Sequence, residues 1–255
     1  MCDMARQSGI IKLKGTIGDI TFYKSKDGYL ARQKGGVEKE RFLNDPNFQR
    51  TRENAAEFGR AGKAAKVLCT AIRPVLNKTQ DSRMISRLVR AMMQVIKSDM
   101  TSDRGERNVA SGKMVLLRGF DFNGNANLSA TLYAPYTTNI DRATGLLDVD
   151  IPSFTPDSQI VAPGGTTHFR LISAGAEVDF QNGAFVLAQS TSTEIPYDNI
   201  SSSAINLSND IGITDSLRPL LLVLGIEFLQ EVNGSFYALN NGAFNALNLV
   251  EMDSA

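Results

Sequence analysis

The sequence predicts an α+β fold: an N-terminal β-hairpin and an α-helical hairpin, followed by a C-terminal antiparallel immunoglobulin-like β-sandwich. Three observations predict it. Residues 17–32 alternate in the manner of strands, residues 44–97 repeat apolar positions every three or four residues, and residues from Phe120 onward form short apolar runs between turns. The predicted domains are an N-terminal arm and β-hairpin (1–36), a basic helical region (37–112) and an acidic β-sandwich domain (113–255).

The hairpin is predicted from two strand-like segments, Ile20-Thr21-Phe22-Tyr23 and Tyr29-Leu30-Ala31-Arg32. Between them, Lys26-Asp27-Gly28 supplies turn residues, and glycine accepts the positive φ that tight turns need. A hairpin alone is only marginally stable in water. We therefore expect it to pack on the helices, to join the later sheet or to pair with another subunit.

The first long helix is predicted to begin at Asn44-Asp45-Pro46, where a capping residue precedes a proline whose missing N–H is not needed in the first turn. It is expected to end near Pro74, because proline interrupts a helix. A break at Gly59 is the alternative. The predicted inward positions step by three or four residues: Phe48, Ala55, Phe58, Gly62, Ala65, Cys69 and Ile72.

The second helix, from Asp81 to Ser98, is strongly amphipathic. Its apolar arc contains Met84, Ile85, Leu88, Val89, Met92, Val95 and Ile96. Its opposite arc contains Arg83, Arg87, Arg90, Gln94 and Lys97. A side-chain oxygen of Asp81 or Thr79 is expected to cap the start of this helix.

The remaining chain is predicted to form short strands at the spacing of an immunoglobulin-like sandwich. The candidate strands are residues 128–133, 137–141, 146–151, 167–174, 176–180, 184–189, 204–207, 220–232, 235–239 and 243–250. Asn233-Gly234, between two of these segments, is a strong hairpin signal because both residues accept a positive φ.

The formal net charge is zero, but the charges are divided unevenly along the chain. Residues 1–120 hold 24 Lys and Arg against 12 Asp and Glu, a net charge of +12, whereas residues 121–255 hold 3 against 15, a net charge of −12. Such an asymmetry directs attention to binding partners. Opposite potentials on two parts of one chain favour contacts between copies, which close into rings or grow into filaments.

Our main hypothesis is therefore a structural protein that self-assembles into a homo-oligomer or filament through its basic N-terminal and acidic C-terminal regions. The residues predicted for self-association or polyanion binding are Arg83, Arg87, Arg90, Lys97, Tyr23 and Tyr29. The predicted acidic counter-surface consists of Asp141, Asp148 and Asp150. The expected partner is the chain itself, and no membrane partner is expected.

Two alternatives stay open. The basic helical face can bind nucleic acid, because phosphate contacts require such cations, although the acidic half would repel a polyanion. A β-sandwich module that binds a ligand such as a sugar is the other alternative, and the absence of tryptophan removes its best stacking residue.

We find no catalytic pattern and predict neither enzymatic activity nor a cofactor. His168 is the single histidine, so the usual zinc sites lack ligands. The aspartates lack the glycine-anchored loop of a calcium site, and Gly62-Lys63 lacks the first glycine and the Ser or Thr of a phosphate loop. Cys2 and Cys69 cannot form a disulfide framework, and Cys69 is expected to be a small buried hydrophobe.

The sequence also bears on location. Arg6, Lys12 and Lys14 interrupt the apolar run near the amino terminus, so no secretory signal is predicted. No window approaches the roughly 18 unbroken apolar residues of a membrane helix. We expect the chain in the cytoplasm, or released in an assembled particle or filament by a route without a cleaved signal.

Several runs of residues in this chain form a recognisable set. In the first half they are Gly15-Thr16-Ile17-Gly18-Asp19-Ile20-Thr21-Phe22-Tyr23-Lys24, Asp27-Gly28-Tyr29, Thr51-Arg52-Glu53-Asn54 and Glu57-Phe58-Gly59-Arg60-Ala61-Gly62-Lys63. In the second half they are Ala162-Pro163-Gly164-Gly165-Thr166-Thr167-His168-Phe169 and Asn240-Asn241-Gly242-Ala243-Phe244-Asn245-Ala246-Leu247. With these runs the chain resembles a family of uncharacterised proteins of Bacteroidota. The resemblance implies a bacterial or phage-related origin, and it brings no activity or binding residue with it.

Overall fold

The computed structural model describes residues 4–33, 35–79 and 81–254, which form an α+β protein with antiparallel sheets. The chain divides into two compact units, Met1–Arg52 and Glu53–Ala255. This division differs from the three predicted domains. The reason is that the helical region and the later strands share a hydrophobic core and therefore belong to one unit.

The first unit contains a four-stranded antiparallel sheet with the strand order β1-β4-β3-β2. Its strands are β1 (Met4–Arg6), β2 (Gly15–Ile17), β3 (Ile20–Ser25) and β4 (Gly28–Gln33). A two-residue turn joins β3 to β4, and Gly28 accommodates a φ of 110° directly after it. The helix α1 (Lys39–Asn44) and a short 3₁₀ segment (Pro46–Phe48) follow, with the Asp45 side chain accepting a hydrogen bond from Asn47 N.

The helices that follow are α2 (Gln49–Ala71), α3 (Arg73–Leu76), α4 (Met84–Lys97), α5 (Leu128–Thr131) and α6 (Pro156–Gln159). Two further 3₁₀ segments are Met114–Leu117 and Leu239–Gly242. Helix α2 continues through Gly59 without a break, so the uninterrupted helix is confirmed over the alternative. Helix α4 begins three residues after Asp81, whose carboxylate accepts a hydrogen bond from Arg83 N at 2.7 Å.

The predicted inward face of α2 is right at Ala65 and Ile72, which are buried, and wrong at Ala55 and Phe58. Phe58 is 60% exposed and Ala55 is exposed, whereas the buried residues of this helix are Glu57, Ala61, Ala64, Ala65, Leu68 and Ala71. The buried arc consists mostly of alanines, which let the helix approach its neighbours closely. Glu57 turns inward because its carboxylate pairs with Arg107 at 3.0 Å and accepts a hydrogen bond from Gly105 N at 2.9 Å.

Two antiparallel sheets form most of the second unit. The three-stranded sheet has the order β10-β6-β5 and contains β5 (Thr137–Asp141), β6 (Leu146–Ile151) and β10 (Ile205–Asp210). The six-stranded sheet contains β7 (His168–Val178), β8 (Phe185–Thr191), β9 (Ile195–Pro196), β11 (Leu220–Val232), β12 (Ser235–Ala238) and β13 (Ala246–Asp253).

Two strand predictions are corrected. Residues 128–133 are not a strand, because the chain turns into α5 there and buries Leu128 and Thr131 together on one side. The predicted strands 167–174 and 176–180 are a single strand, β7, which passes through Gly175 without interruption. Glycine at this position allows a neighbouring sheet to come close, rather than ending the strand.

The second unit has three layers: helices, the six-stranded sheet and the three-stranded sheet. Side chains that alternate along β7 and β11 face the helices, namely Ile172, Ala174, Ala176, Val178, Leu221 and Val223. The intervening positions face the three-stranded sheet, namely Phe169, Leu171, Leu220, Leu222, Leu224, Ile226 and Phe228. Both faces of the central sheet are therefore buried, which explains why β11 reads as a continuous apolar run.

A small polar network lies between the two sheets. The side-chain amide of Asn209 donates hydrogen bonds to Leu147 O and Ser173 Oγ, each at 2.9 Å, and its carbonyl oxygen accepts one from Ser190 Oγ at 3.1 Å. These bonds satisfy a fully buried amide, which would otherwise be costly. Gly175 lies beside this network, where the sheets come closest.

We predict that Gly175→Ala destabilises the second unit by about 1–3 kcal/mol, the usual range for overpacking a core. An added Cβ would lie 2.9 Å from Leu147 Cβ and 3.1 Å from Asn209 Cβ, so both sheets would have to shift. The measurement is urea unfolding followed by circular dichroism. Gly164→Ala is the matched control, because an added Cβ there has nothing within 4 Å. Equal stability of the two variants would contradict the tight approach.

Candidate self-association surfaces

The sheet of the first unit has one apolar face. Directly paired residues of antiparallel strands lie on the same side of a sheet, and this register pairs Ile17 with Ile20 and Phe22 with Ala31. We call this side the apolar sheet face; it carries Ala5, Ile17, Ile20, Phe22, Tyr29 and Ala31, with Lys24 and Gln33 at its margin. The opposite side carries Arg6, Thr16, Thr21, Tyr23, Leu30 and Arg32.

No side chain is buried among residues 5–33 and 35–52. On the apolar sheet face, Ile17 is 63% exposed and Ile20 is 46% exposed. Ile10 and Ile11, between β1 and β2, are more exposed still. A sheet normally needs an apolar face that is covered in order to be stable, and a contiguous apolar patch on a surface marks an interaction site. The first unit therefore offers a surface but has no core of its own within the described residues.

The structure places the predicted tyrosines, Tyr23 and Tyr29, in this sheet, where both are half-buried. The Tyr29 ring has the ammonium groups of Lys12 and Lys24 at 5.9 and 5.6 Å, and the Tyr23 ring has the Arg32 guanidinium at 5.5 Å. These are cation–π distances. The two rings lie on opposite sides of the sheet, because Tyr23 pairs with Leu30, so they do not form one stacking platform for successive bases.

The predicted cations of α4 have two different environments. Arg83, Arg90 and Lys97 are exposed, and the described part of the chain offers none of them an ion pair. They are spaced by seven residues, or about two turns, and so they form one row along the helix. We call these three residues the cationic row. Ile85, predicted on the apolar arc, is 53% exposed instead.

Arg87, the fourth predicted cation, makes contacts within the fold, and 36% of its side chain is exposed. Its guanidinium pairs with Asp81, donates a hydrogen bond to Asp121 O at 2.7 Å and lies 5.2 Å from the centre of the Phe120 ring. Arg87 is therefore partly neutralised by the fold. Its partners Asp121 and Phe120 are far from it in sequence, so the helical pattern alone did not indicate these contacts.

Asp81 completes this cluster. Burial raises the pKa of its carboxyl group, but hydrogen bonds from Arg83 N, the Arg87 side chain and Gly124 N outweigh that effect and lower the pKa from 3.8 to about 2. The Asp81 carboxylate is therefore ionised throughout the physiological range, where it fixes the start of α4 to the segment around Gly124.

An open groove of about 400 Å³ lies on the outward side of α2, between it and α4. It is lined by Gly62, Lys66, Cys69, Thr70, Arg73, Leu76, Asn77 and Ile85. Cys69 is half-buried, and burial raises the pKa of its thiol to about 11, so the thiol stays protonated at neutral pH and is a poor nucleophile. Cys2 lies outside the described residues.

The predicted acidic counter-surface lies on the three-stranded sheet. Asp148 and Asp150 alternate with the buried Val149 on β6 and therefore point away from the core. Asp150 accepts a hydrogen bond from the Asn206 amide at 2.6 Å. Asp141 accepts a hydrogen bond from Thr144 Oγ1, which lowers its pKa and ties it to its own turn.

A fourth carboxylate on this sheet was not among the predicted residues. Asp210 lies at the end of β10, opposite Leu146, whose other neighbour is Asp141. The strand-like alternation of residues 205–210 could have predicted that Asp210 lies on this face. Among the described residues none of these four carboxylates has an ion-pair partner, and we call Asp141, Asp148, Asp150 and Asp210 the acidic sheet face.

The negative charge of this region is not neutralised from within it. Residues 121–255 contain three basic residues apart from His168, and each already pairs with carboxylates elsewhere. These pairs are Arg142 with Asp253, Arg170 with Glu227 and Glu194, and Arg218 with Glu177 and Asp179. The acidic sheet face thus retains its charge.

The described residues contain no group of three or more His, Cys, Asp or Glu side chains that could hold a metal ion. His168 has its Nδ1 atom 3.8 Å from the Glu231 carboxylate and its ring against Phe236. In the same part of the chain, no helix combines the length and apolar character needed to cross a membrane.

No protein-family model, curated protein or solved structure matches this chain. A function must therefore be inferred from the surfaces themselves, namely the apolar sheet face, the cationic row and the acidic sheet face.

We predict that Asp81→Asn lowers the free energy of unfolding at pH 7 by about 2 kcal/mol, from a pKa difference of nearly two units at about 1.4 kcal/mol each. The folded-state pKa is depressed, so this stability is present above pH 4 and is lost as the pH falls toward 2. Denaturant unfolding at pH 7 and pH 2 measures it. If the variant and the natural chain differ in free energy of unfolding by the same amount at pH 7 and at pH 2, the lowered pKa of Asp81 is not the cause.

Proposed function

We propose that this chain is a structural protein that self-assembles into a homo-oligomer or filament. The observation that carries the proposal is the apolar sheet face, in a unit whose described side chains are all at least partly exposed. Fully burying a large apolar side chain contributes about 1.5–3 kcal/mol, and because Ile17 is 63% exposed and Ile20 is 46% exposed, covering both would contribute roughly 2–3 kcal/mol. A second copy that covers the face would supply that contribution.

The surroundings of the face favour an acidic partner. Protein interfaces combine an apolar centre with a polar rim, and the cations Lys12 and Lys24 lie beside the Tyr29 ring on this face. Residues 1–52 hold 11 Lys and Arg against 6 Asp and Glu, a net charge of +5. A second copy of the chain supplies unneutralised carboxylates on its acidic sheet face. Contacts between different surfaces of successive copies give a ring or an open filament.

The proposal also covers the finer fold, the location and the origin that the sequence predicted. The antiparallel strands and the two stacked sheets support an immunoglobulin-like sandwich, and α2 with α4 support a helical hairpin. We propose no enzymatic activity and no cofactor. The cytoplasm or a released particle as location, and a bacterial or phage-related origin, belong to the same proposal.

Nucleic-acid binding is the second candidate, and the cationic row is the observation that favours it. Three exposed cations on one helix, without ion pairs in the described chain, suit a phosphate backbone. Against it, Arg87 is occupied by Asp81 and the two tyrosines lie on opposite sides of a sheet. A ligand-binding module is a weaker candidate, supported by an open cavity of about 460 Å³ lined by residues 192–196 and 202–206.

We predict that Ile20→Glu weakens self-association at least tenfold, because a charge on the apolar sheet face, directly opposite Ile17, must be desolvated when the face is covered. Thr21→Glu is the matched control: it changes the net charge equally but lies on the opposite side of β3. Size-exclusion chromatography with light scattering over a dilution series measures the effect.

The salt dependence of the same measurement separates the candidates. Species of the natural chain that shrink as ionic strength rises indicate charge-steered assembly. A chain that is monomeric at every concentration and salt condition contradicts the proposal. A monomer that retards duplex DNA, and loses this on Arg90→Glu, would establish the nucleic-acid candidate in its place.

A further inference from the structure

Strand β8 has an open edge in the six-stranded sheet. It ends the strand order β12-β11-β7-β8 and pairs only with β7. Its sequence, Phe-Val-Leu-Ala-Gln-Ser-Thr from 185 to 191, contains no charged residue and no proline. Natural sheets use charged residues and proline to prevent their edges from pairing, and β8 has neither. An edge of seven residues without them is a template for another strand.

The hydrogen bonds at both ends of β8 show which backbone groups point outward. Ser192 N donates to Leu171 O at 2.9 Å, and Asp179 N donates to Ala184 O at 2.8 Å. Because bonding alternates along an antiparallel strand, the even-numbered residues of β8 bond to β7. The N–H and C=O groups of Phe185, Leu187, Gln189 and Thr191 point away from it. Among the described residues none of these backbone groups has a hydrogen-bond partner.

The other edges of the two sheets are blocked or short. The outer edge of β13 is covered by the segment before α5, since Phe122 N donates to Leu247 O and Leu249 N donates to Phe120 O. Strand β12 has four residues. In the three-stranded sheet, β5 ends in Asp141 and β10 ends in Asp210. Within the described chain, β8 is therefore longer than β12, and unlike β5 and β10 it contains no charged residue.

We propose that β8 pairs antiparallel with β8 of a second copy, with a two-fold axis at Ala188. The two outward sets of odd-numbered residues then face each other: Phe185 meets Thr191, and Leu187 meets Gln189. All four outward residues of each strand form bonded pairs in this register, which gives about eight backbone hydrogen bonds.

The side chains of β8 fit this register. On the axis, Ala188 faces its own copy as a non-hydrogen-bonded pair, where side chains approach most closely, and a methyl group suits that position. Phe185 is 40% exposed and Val186 is 38% exposed, and pairing covers part of both. Self-pairing meets no like-charge repulsion, because the strand is uncharged. A second copy of this chain is therefore the occupant that the strand fits.

This contact extends the proposed self-assembly and uses a different surface, since β8 belongs to the second unit and the apolar sheet face to the first. A copy whose two unlike surfaces each bind one neighbour, and whose β8 binds a further copy across a two-fold axis, can join three neighbours. The predicted assembly is therefore built from dimers with a continuous sheet across the two-fold axis.

The test begins with Gln189→Pro in a chain that also carries Ile20→Glu. Proline removes only an outward N–H, so the pairing of β8 with β7 is kept. We expect the Ile20→Glu chain to be a dimer and the doubly substituted chain to be a monomer, by light scattering. Gln189→Thr, which keeps the N–H, is the matched control and should stay dimeric.

Each outcome decides one of the two proposals. A doubly substituted chain that stays dimeric overturns the β8 contact, and so does a monomeric Ile20→Glu chain. An Ile20→Glu chain as large as the natural assembly overturns the proposed role of the apolar sheet face, whatever β8 does. Unchanged thermal unfolding of the second unit verifies that proline has not disturbed the fold.

A cross-link tests the register. In a chain with Cys2→Ser and Cys69→Ser, we expect Ala188→Cys to form a disulfide-linked dimer under mild oxidation, because a non-hydrogen-bonded pair places its Cα atoms about 4.5 Å apart, within disulfide range. Val186→Cys is the control: in this register it faces Ser190 of the second copy, roughly 13 Å along the strand from its own equivalent. Equal cross-linking of both variants, or of neither, would overturn the register.

Discussion

The structure depends on one constraint, which is that the six-stranded sheet is buried on both faces. Helices cover one face and the three-stranded sheet covers the other. Charged side chains caught in this region must therefore be paired. Glu227 contacts Arg170 at 2.7 Å and Lys78 at 3.2 Å, and Glu177 contacts Arg218 at 2.9 Å. Burial of an unpaired carboxylate would cost several kcal/mol, so Arg170 and Arg218 offset the charge of buried carboxylates within the fold.

The same constraint identifies the surfaces that are left for other molecules. Ile17 and Ile20 on the apolar sheet face are exposed, and the outward backbone groups of β8 are unpaired within the described chain. Apolar side chains favour burial, and backbone groups favour hydrogen bonds. We propose that a second copy supplies both, and that the division of charge along the chain orients the copies.

The sequence predicted local features well where the local signal was strong. The bounds of β5, β6 and β11 agree with the predicted segments, and α4 buries Met84, Leu88 and most of its predicted apolar arc. The sequence-based predictions were wrong where contacts with residues far along the chain determine whether a side chain is buried or paired. The arc of α2 was judged by the bulk of Phe58, but close packing selected alanines, and Arg87 was taken as free because its partners lie far along the chain. Of the predicted binding residues, Arg83, Arg90 and Lys97 stay exposed, and Asp148 and Asp150 share one sheet face.

By itself the sequence determined the α+β class, the main helices, the longest strands and the separation of charge, because these follow from residue periodicity and composition over short distances. Only the tertiary structure decided which strand edges are covered, which cations are neutralised and which apolar residues have no cover. Those properties depend on contacts between residues that are far apart in the chain, and the pattern of neighbouring residues does not specify them.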